Sequence, residues 1–207
     1  RRQRQMCIRD RLNWALFSTL VDDSQRMTNI QDPISGVAQV VKNAGDIAYR
    51  GFEFDGIYTL TDTVTILASV GYVHSKYENL ISDLTGDFII DAFDYALEVP
   101  RAAPLTYSLG FNIDGDLGSW RSITRLSYYH RDKSYYNENN QGYINKQDIV
   151  NFGYDVYSPD GKINIGIYGK NLSNEVKHGG DTNLSFGGTF APLAKGKIVG
   201  AELVYKF

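Results

Sequence analysis

Alternating apolar side chains continue to the last residue of this 207-residue chain. Val199, Ala201, Leu203, Tyr205 and Phe207 occupy every second position, so in a strand they share one face. Soluble domains seldom end on such a pattern, because chain termini usually fray into water. The ending favours the outward face of a transmembrane β-barrel strand, and the alternative is a half-buried strand at the end of a β-sandwich.

The composition is that of a β-rich chain and is compatible with a membrane location. Hydrophobic residues make up 43% of the sequence, and no apolar run approaches the roughly 20 residues of a membrane-spanning helix. A transmembrane barrel dilutes its apolar residues to about one in two, so a mean hydropathy of −0.31 does not exclude it. The 15 Tyr, 10 Phe and 20 Gly, with weak helical periodicity, predict an all-β fold.

Eight segments have the period-2 alternation of strands. They cover residues 12–28, 46–60, 64–77, 105–113, 119–131, 148–158, 162–172 and 199–207. The connections alternate in length: residues 29–45, 78–104, 132–147 and 173–195 are long, and residues 61–63, 114–118 and 159–161 are short. Turn signals at Asp32-Pro33 and Ser35-Gly36 mark the first connection, while Val37, Val40 and Val41 leave open an extension of a neighbouring strand.

The alternation of long and short connections predicts a direction for the sheet. Outer-membrane barrels have short periplasmic turns and longer extracellular loops, whereas a soluble sandwich has no reason to sort its loops by parity. The pattern therefore predicts an antiparallel up-and-down transmembrane β-barrel segment in contact with outer-membrane lipid. Its C-terminus is expected at the periplasmic side.

The two predicted faces differ in polarity. The outward face has aromatic residues toward both strand ends, as expected where rings meet lipid headgroups: Trp14, Tyr58, Trp120, Tyr205 and Phe207 at one end, and Tyr72, Tyr107 and Tyr128 at the other. A Lys or Arg facing lipid at mid-bilayer costs about 2–4 kcal/mol. The charged positions are therefore predicted to face the lumen: Glu53, Asp55, Arg121, Arg125, Asp155 and Glu202.

The first eleven residues stand apart from this pattern. Residues 1–11 carry a charge of +4, whereas the rest of the chain carries −7. A basic arm for nucleic acid or anionic lipid is one interpretation. We favour a translated sequencing-adapter artefact or disordered segment, with residues 12–207 as the barrel portion. Because no signal peptide opens the sequence, we expect the natural N-terminus to be missing, and Cys7 as the only cysteine permits no internal disulfide.

Five motifs in order resemble the C-terminal barrel region of TonB-dependent outer-membrane receptors. Any one of them is weak, but together they span residues 12–207. They are Asn43-Ala44-Gly45 with Arg50-Gly51-Phe52-Glu53-Phe54, the strand at 64–77, the Pro-Arg segment at 99–104, the Asn-Leu segment at 169–175, and the ending at 202–207.

This resemblance implies about eight strands of a 22-stranded barrel with a plugged lumen. In isolation such a segment would be an open curved sheet. The plug domain and TonB box would be absent from the chain. The implied function is uptake of a siderophore, cobalamin, haem or carbohydrate, energised through the TonB complex. Val199, Ala201, Leu203, Tyr205 and Phe207 would form the signal read by the barrel-assembly machinery.

Candidate ligand-binding residues lie in the connection at 132–147. Rings could stack on a nutrient ligand while amides hydrogen-bond it; the alternative is a solvated tip with interface-anchoring tyrosines. The candidates are Tyr135, Tyr136, Asn137, Asn139 and Tyr143, with Asn140 beside them. His74, His130 and His178 match no metal motif and are interpreted as exposed loop histidines.

No catalytic motif is present in the sequence, and we expect no enzyme activity, metal site, cofactor or nucleic-acid partner. The main alternative is a self-contained eight-stranded outer-membrane barrel with a structural or adhesive role, because eight strands can close around a side-chain-filled interior. A small outer-membrane enzyme and a soluble β-sandwich are further alternatives.

Overall fold

An eight-stranded antiparallel sheet organises the computed structural model of the chain, which describes residues 10–32, 34, 36–140, 142–177, 182–184 and 188–207. In chain order the elements are β1 (Arg11–Asp32), β2 (Gly36–Thr59), β3 (Val64–Leu80), α1 (Ala92–Tyr95), β4 (Leu105–Leu117), β5 (Trp120–Arg131), β6 (Ser134–Tyr135), β7 (Tyr143–Ile144), β8 (Gln147–Tyr157), β9 (Ile163–Lys170), β10 (Thr182–Leu184), β11 (Gly188–Phe190) and β12 (Ile198–Tyr205).

The sheet is open. Its order is β1-β2-β3-β4-β5-β8-β9-β12, and every neighbouring pair is antiparallel. Within the part of the chain that the structure describes, β1 and β12 are its two edges and do not pair with each other. The predicted up-and-down, open, all-β segment is therefore confirmed. An eight-stranded barrel closed on itself, the main alternative, is not what forms.

The register places the predicted apolar positions on one face. Residues directly opposite each other in neighbouring strands share a face. One such row crosses six strands through Val64, Ile113, Thr124, Tyr154, Ile167 and Ala201. None of the described residues covers this face on β1, where Trp14 and Leu16 are each 76% exposed. A continuous apolar face left uncovered marks a surface that meets lipid or another protein.

The buried core is small and lies on the opposite face, at the end of the sheet that carries the long connections. Ile47, Tyr77, Leu80 and Val99 form its centre, and Tyr49, Leu84 and Leu97 surround them. The connection between β3 and β4 therefore folds back over the polar face of β2 and β3. Among the described residues, no helix is long and apolar enough to cross a membrane.

The first connection differs from the prediction. Residues 29–45 were expected to form a polar loop, but β1 and β2 continue as a hairpin for eight residue pairs beyond a bulge, from Gln25 opposite Asn43 to Asp32 opposite Gly36. Polar residues and turn signals interrupt the apolar alternation of this segment, so its sequence looks like a loop. The valine extension left open for residues 37–41 is what forms; Pro33 and Ser35 lie outside the described residues.

The other connections keep the predicted alternation. Residues 60–63, 118–119 and 158–162 are short turns, whereas residues 81–104, 132–146 and 171–197 are long and contain small elements of their own. β12 ends at Tyr205, two residues before the predicted end of the strand. β1 begins at Arg11, one residue before the predicted boundary, and residues 1–9 lie outside the described part, so the interpretation of that segment stays a prediction.

Gly45 makes the bulge between β1, β2 and β3 possible. Its φ of +130° favours glycine, and a Cβ there would lie 1.9 Å from the carbonyl oxygen of Asn79. We expect Gly45→Ala to lower the free energy of unfolding by about 1–3 kcal/mol, measured by urea titration in detergent. The control is Gly110→Ala, where the nearest atom would lie 3.6 Å away. Equal stability of the two variants would contradict this role.

Candidate functional site

Two long connections dock on each other at one end of the sheet. The side chain of Asn140 binds the backbone of Glu98 in both directions: the Glu98 N–H donates to Oδ1 at 2.8 Å, and Nδ2 donates to the Glu98 carbonyl at 2.9 Å. The N–H of Arg101 also donates to the carbonyl of Tyr135 at 2.7 Å. Residues 81–104 and 132–146 therefore form one unit, which we call the loop canopy.

A fully buried carboxylate organises the first half of the loop canopy. Asp94 accepts N–H donors from Leu84 at 2.8 Å, Thr85 at 2.9 Å and Asp91 at 3.0 Å. Burial disfavours its charged form, but the three donors outweigh burial and hold the pKa of this carboxyl below its usual range. Buried backbone N–H groups need hydrogen-bond acceptors, and the Asp94 carboxylate supplies them here in place of the carbonyl groups of a neighbouring strand.

A second carboxylate holds the tip of the same connection. Asp83 accepts from the N–H groups of Gly86 and Phe88, each at 2.7 Å, and these donors outweigh partial burial, so the pKa of Asp83 is also lowered. Phe88 has φ of +70° and is 96% exposed. A strained backbone held by specific acceptors therefore presents apolar side chains to solvent: Phe88, Ile89, Ile90 and Phe93.

The predicted tyrosines of the second connection lie under cations. Tyr135 on β6 is directly opposite Tyr143 on β7, and the Lys133 Nζ lies 4.5 Å and 4.7 Å from their ring centroids. The guanidinium of Arg101 lies 4.5 Å over the ring of Tyr136. In the described ranges, neither cation has a carboxylate partner within 4 Å. We call these five residues the cation–tyrosine cluster.

The predicted amides have a different part in this unit. Asn140 is occupied by Glu98, and the carbonyl of Asn137 accepts the N–H of Asn140 at 3.1 Å. Asn137 and Asn139 are half-buried. Sequence reasoning missed Arg101 and Lys133. The only sequence signal that could have found Lys133 was its position two residues before Tyr135. Arg101 had no such signal, because it reaches Tyr136 through the docking of two connections that are distant in sequence.

The predicted lumen charges all lie on the face opposite the apolar rows. Arg121 donates to Asp114 from Nε at 3.1 Å, and Arg125 forms an ion pair with Asp155. Asp55 is 3.6 Å from Arg11 and accepts a 2.9 Å hydrogen bond from Asn13. The remaining two, Glu53 and Glu202, have no ion-pair partner in the described part of the chain.

The sequence suggested that His130 is an exposed loop histidine, but the structure places it differently. It is 6% exposed, lies on the apolar face and stacks on Tyr107 at 4.6 Å between centroids. Its Nδ1 lies 2.7 Å from Asp148 and its Nε2 lies 3.1 Å from Asp132. The ring thus joins β5, β8 and the base of the loop canopy. His178 lies outside the described residues, and those that are described contain no group suited to a metal ion.

The Asn-Leu segment has a structural explanation. Asn171, with φ of +50°, donates from Nδ2 to the carbonyls of Glu175 at 3.1 Å and Lys195 at 2.9 Å. Its Oδ1 accepts the Glu175 N–H at 2.9 Å. The side chain therefore closes the base of the third long connection, at the top of β9.

The C-terminal strand is an uncovered edge. Val199, Ala201, Leu203 and Tyr205 lie opposite β9 residues on the apolar face, and the ring of Phe207 meets Tyr205 edge-on at 5.2 Å. Leu203 is 72% exposed, and Phe207 is fully exposed. One side of this strand is thus paired with β9, and the other offers free backbone groups.

No protein-family profile matches the sequence, and no curated protein matches it. Solved structures match over nearly the whole chain. The ferric yersiniabactin uptake receptor FyuA from Yersinia pestis has a TM-score of 0.73 at 15% identity over 97% of this chain. The siderophore receptor PiuA from Acinetobacter baumannii has 0.68 at 17% over 96%, and the copper transporter OprC has 0.63 at 14% over 97%.

These identities establish a shared fold. The resemblance to the barrel of TonB-dependent outer-membrane receptors is confirmed at that level. The chain covers 28% of FyuA, 26% of PiuA and 30% of OprC, so it spans less than a third of the length of these proteins.

The carboxylates of the loop canopy make its order depend on pH. Asp83 and Asp94 have lowered pKa values, so their stabilisation is complete above the unfolded value of about 3.9 and is lost as the pH falls through the folded values. Hydrogen exchange at the Leu84, Thr85 and Phe88 amides should speed up in acid before exchange in β4 does. Asp94→Asn should show fast exchange at Leu84 already at neutral pH. Uniform protection of these amides down to about pH 2 would contradict this.

Proposed function

We propose that the chain is the C-terminal part of the barrel of a TonB-dependent outer-membrane receptor that takes up a small nutrient ligand. The shared fold supports this proposal, together with an apolar face that has no protein cover and a polar face that carries the charges. Lipid would cover the first face and the plugged lumen would lie against the second. The siderophore and iron receptors among the similar folds favour a metal chelate over cobalamin or a carbohydrate as the ligand.

The open edges of the sheet are the reason for proposing a large barrel instead of a self-contained one. Unpaired strand edges cannot remain inside a bilayer, because each exposed N–H or C=O costs several kcal/mol there. β1 and β12 therefore need further strands, which the complete receptor would supply. An enzyme is not favoured by any constellation of side chains in the described residues.

The proposed orientation puts the short turns and the C-terminus in the periplasm. The loop canopy then lies at the extracellular mouth, over the lumen face. The outward residues of β12 would be read by the barrel-assembly machinery, and the TonB complex would act through the plug region of the full-length receptor.

The cation–tyrosine cluster is the proposed ligand contact. Lys133 and Arg101 are exposed and lie on ring faces instead of carboxylates, although the chain is acidic overall. Their charges therefore remain available to an anionic chelate, and Tyr135, Tyr136 and Tyr143 offer rings for stacking. Asn137 and Asn139 lie in the same connection and are half-buried.

The uptake hypothesis is tested in cells that make the full-length receptor. Energised cells are offered ferric complexes of catecholate, hydroxamate and carboxylate chelators labelled with radioactive iron. We expect one class to enter, and the double variant Lys133→Ala/Arg101→Ala to weaken its binding about tenfold, because two exposed charge contacts of about 0.7 kcal/mol each are lost. The control is Lys162→Ala, which removes a cation at the opposite end of the sheet.

Absence of uptake for every chelate, with the receptor present at the surface, would overturn the transport proposal for iron complexes. Uptake that is unchanged in the double variant would overturn only the ligand contact.

The assembly role of the ending is tested separately. Deletion of Phe207 or Phe207→Ala should reduce the amount of full-length receptor in the outer membrane, because the apolar face then ends before the terminal aromatic. Surface labelling measures this amount. The control is Lys206→Ala, which changes the neighbouring residue on the other face. Normal surface levels for both Phe207 variants would contradict the signal.

A further inference from the structure

The Asn140 side chain holds the backbone segment that carries Arg101. Its amide makes two hydrogen bonds with the backbone of Glu98, at 2.8 Å and 2.9 Å, and Glu98 is three residues before Arg101. The Nδ2 of Asn140 also lies 3.4 Å from the carbonyl oxygen of Asn137, which keeps the amide oriented. One polar side chain of residues 132–146 therefore fixes residues 81–104 immediately before a member of the cation–tyrosine cluster.

Arg101 has a strained backbone that needs support from its neighbours. Its φ is +60°, in the left-handed region that residues other than glycine seldom adopt unless surrounding contacts hold them there. Its N–H donates to the carbonyl of Tyr135 at 2.7 Å, so the support comes from residues 132–146. Asn140 has a similar φ of +56°, but asparagine tolerates this region.

The segment between Glu98 and Arg101 is anchored on one side only by the core. Val99 is buried in the small core beneath the canopy, and Pro100 has the fixed φ of proline. The core anchor holds the inner side of the segment. The contacts of Glu98 and Arg101 with residues 132–146 therefore decide where its exposed side lies.

Lys133 reaches the same cluster without this docking. It lies just before β6, and the two rings that it contacts, Tyr135 and Tyr143, face each other across β6 and β7. All of these residues belong to one connection. The two cations of the cluster thus differ: Lys133 is placed by a local hairpin, whereas Arg101 is placed by contacts between two connections.

We propose that Asn140 is a positioning residue that sets the preference of the receptor for an anionic chelate over an uncharged one. It does so by keeping the Arg101 guanidinium on the ring of Tyr136, where its charge is exposed. Lys133 alone gives a weaker preference, because the attraction of an anion grows with the number of cations that face it. The inference rests on the proposed function and adds a residue to its ligand contact.

The test measures binding of two ferric complexes to the full-length receptor in detergent by quenching of tryptophan fluorescence. The probes are a ferric tricatecholate, which is anionic, and a ferric trihydroxamate, which is uncharged. Asn140→Gly is the main variant, because glycine adopts a positive φ without strain and only the side-chain bonds are lost. The matched control is Asn174→Gly. Asn174 has φ of +54°, and its Oδ1 accepts the Lys197 N–H at 3.0 Å within residues 171–197.

A double-mutant cycle gives the expected result. Asn140→Gly should weaken tricatecholate binding about threefold, as Arg101→Ala does, because each loses the same exposed charge contact. The two changes together should still cost about threefold, whereas Asn140→Gly combined with Lys133→Ala should cost about tenfold. Trihydroxamate binding should be unchanged in Asn140→Gly, and Asn174→Gly should bind both complexes normally.

The dependence of the affinity on salt gives a second readout. Between about 0.05 M and 0.5 M salt, the tricatecholate affinity of Asn140→Gly should fall less steeply than that of the unaltered receptor, as in Arg101→Ala. Asn140→Gly replaces one neutral residue with another, so it changes this slope only if it displaces a charge. Loss of loop stability alone would not flatten the slope.

Hydrogen exchange separates displacement of Arg101 from collapse of the canopy. In Asn140→Gly the Arg101 amide should exchange faster. The Tyr136 amide, which donates to the Gly142 carbonyl at 2.8 Å, should keep its protection.

Additive losses for Asn140→Gly and Arg101→Ala, or an unchanged salt dependence, would overturn the positioning role and leave the uptake proposal intact. Equal loss of binding for both complexes, or lost protection at Tyr136, would assign Asn140 to canopy stability and overturn it as well. Binding of the uncharged complex alone by the unaltered receptor would overturn the preference for anions. If the folded, unaltered receptor binds neither complex, the proposed uptake of iron chelates fails together with this inference.

Discussion

The cross-strand register is the constraint on which the rest of the structure depends. Because strand side chains alternate with a period of two, a slip of one residue in any pair would move that strand's apolar residues to the polar face. Residues such as Val64, Ile113 and Thr124 lie directly opposite one another across the sheet. Beyond the bulge at Gly45, β1 and β2 return to the register that they have before it. One face can therefore be largely apolar along the sheet without a core of its own.

The canopy end of the molecule depends on a different interaction, the capture of backbone N–H groups by side-chain oxygens. Asp83, Asp94 and Asn171 each accept two or more donors, and Asn140 bridges two connections. The apolar core beneath them is small. Polar side chains thus give these connections a defined shape, which is what a binding surface built on loops requires.

The proposed function divides the chain between the two faces of the sheet and the loop canopy. In that proposal the apolar face is the one that lipid would cover. The polar face carries Arg125, Asp155 and Glu202, and in the proposed receptor it would face the lumen. The cation–tyrosine cluster lies on the canopy above. The sheet holds these three features at fixed positions because its strands run from the short turns at one end to the long connections at the other.

The alternation of apolar residues and the parity of the connections determined the strand content, the outward face and the charged face, because these depend only on local periodicity. The open edges were implied by the family resemblance. The sequence patterns could not reveal the extension of the β1–β2 hairpin, since polar residues and turn signals interrupt the alternation there. They also misplaced His130 and missed Arg101 in the cation–tyrosine cluster. Those positions are decided by contacts between segments distant in sequence: Asp132 and Asp148 meet at His130, and Glu98 meets Asn140. Only the tertiary structure brings such groups together, because pairing across long connections leaves no periodic trace in the sequence.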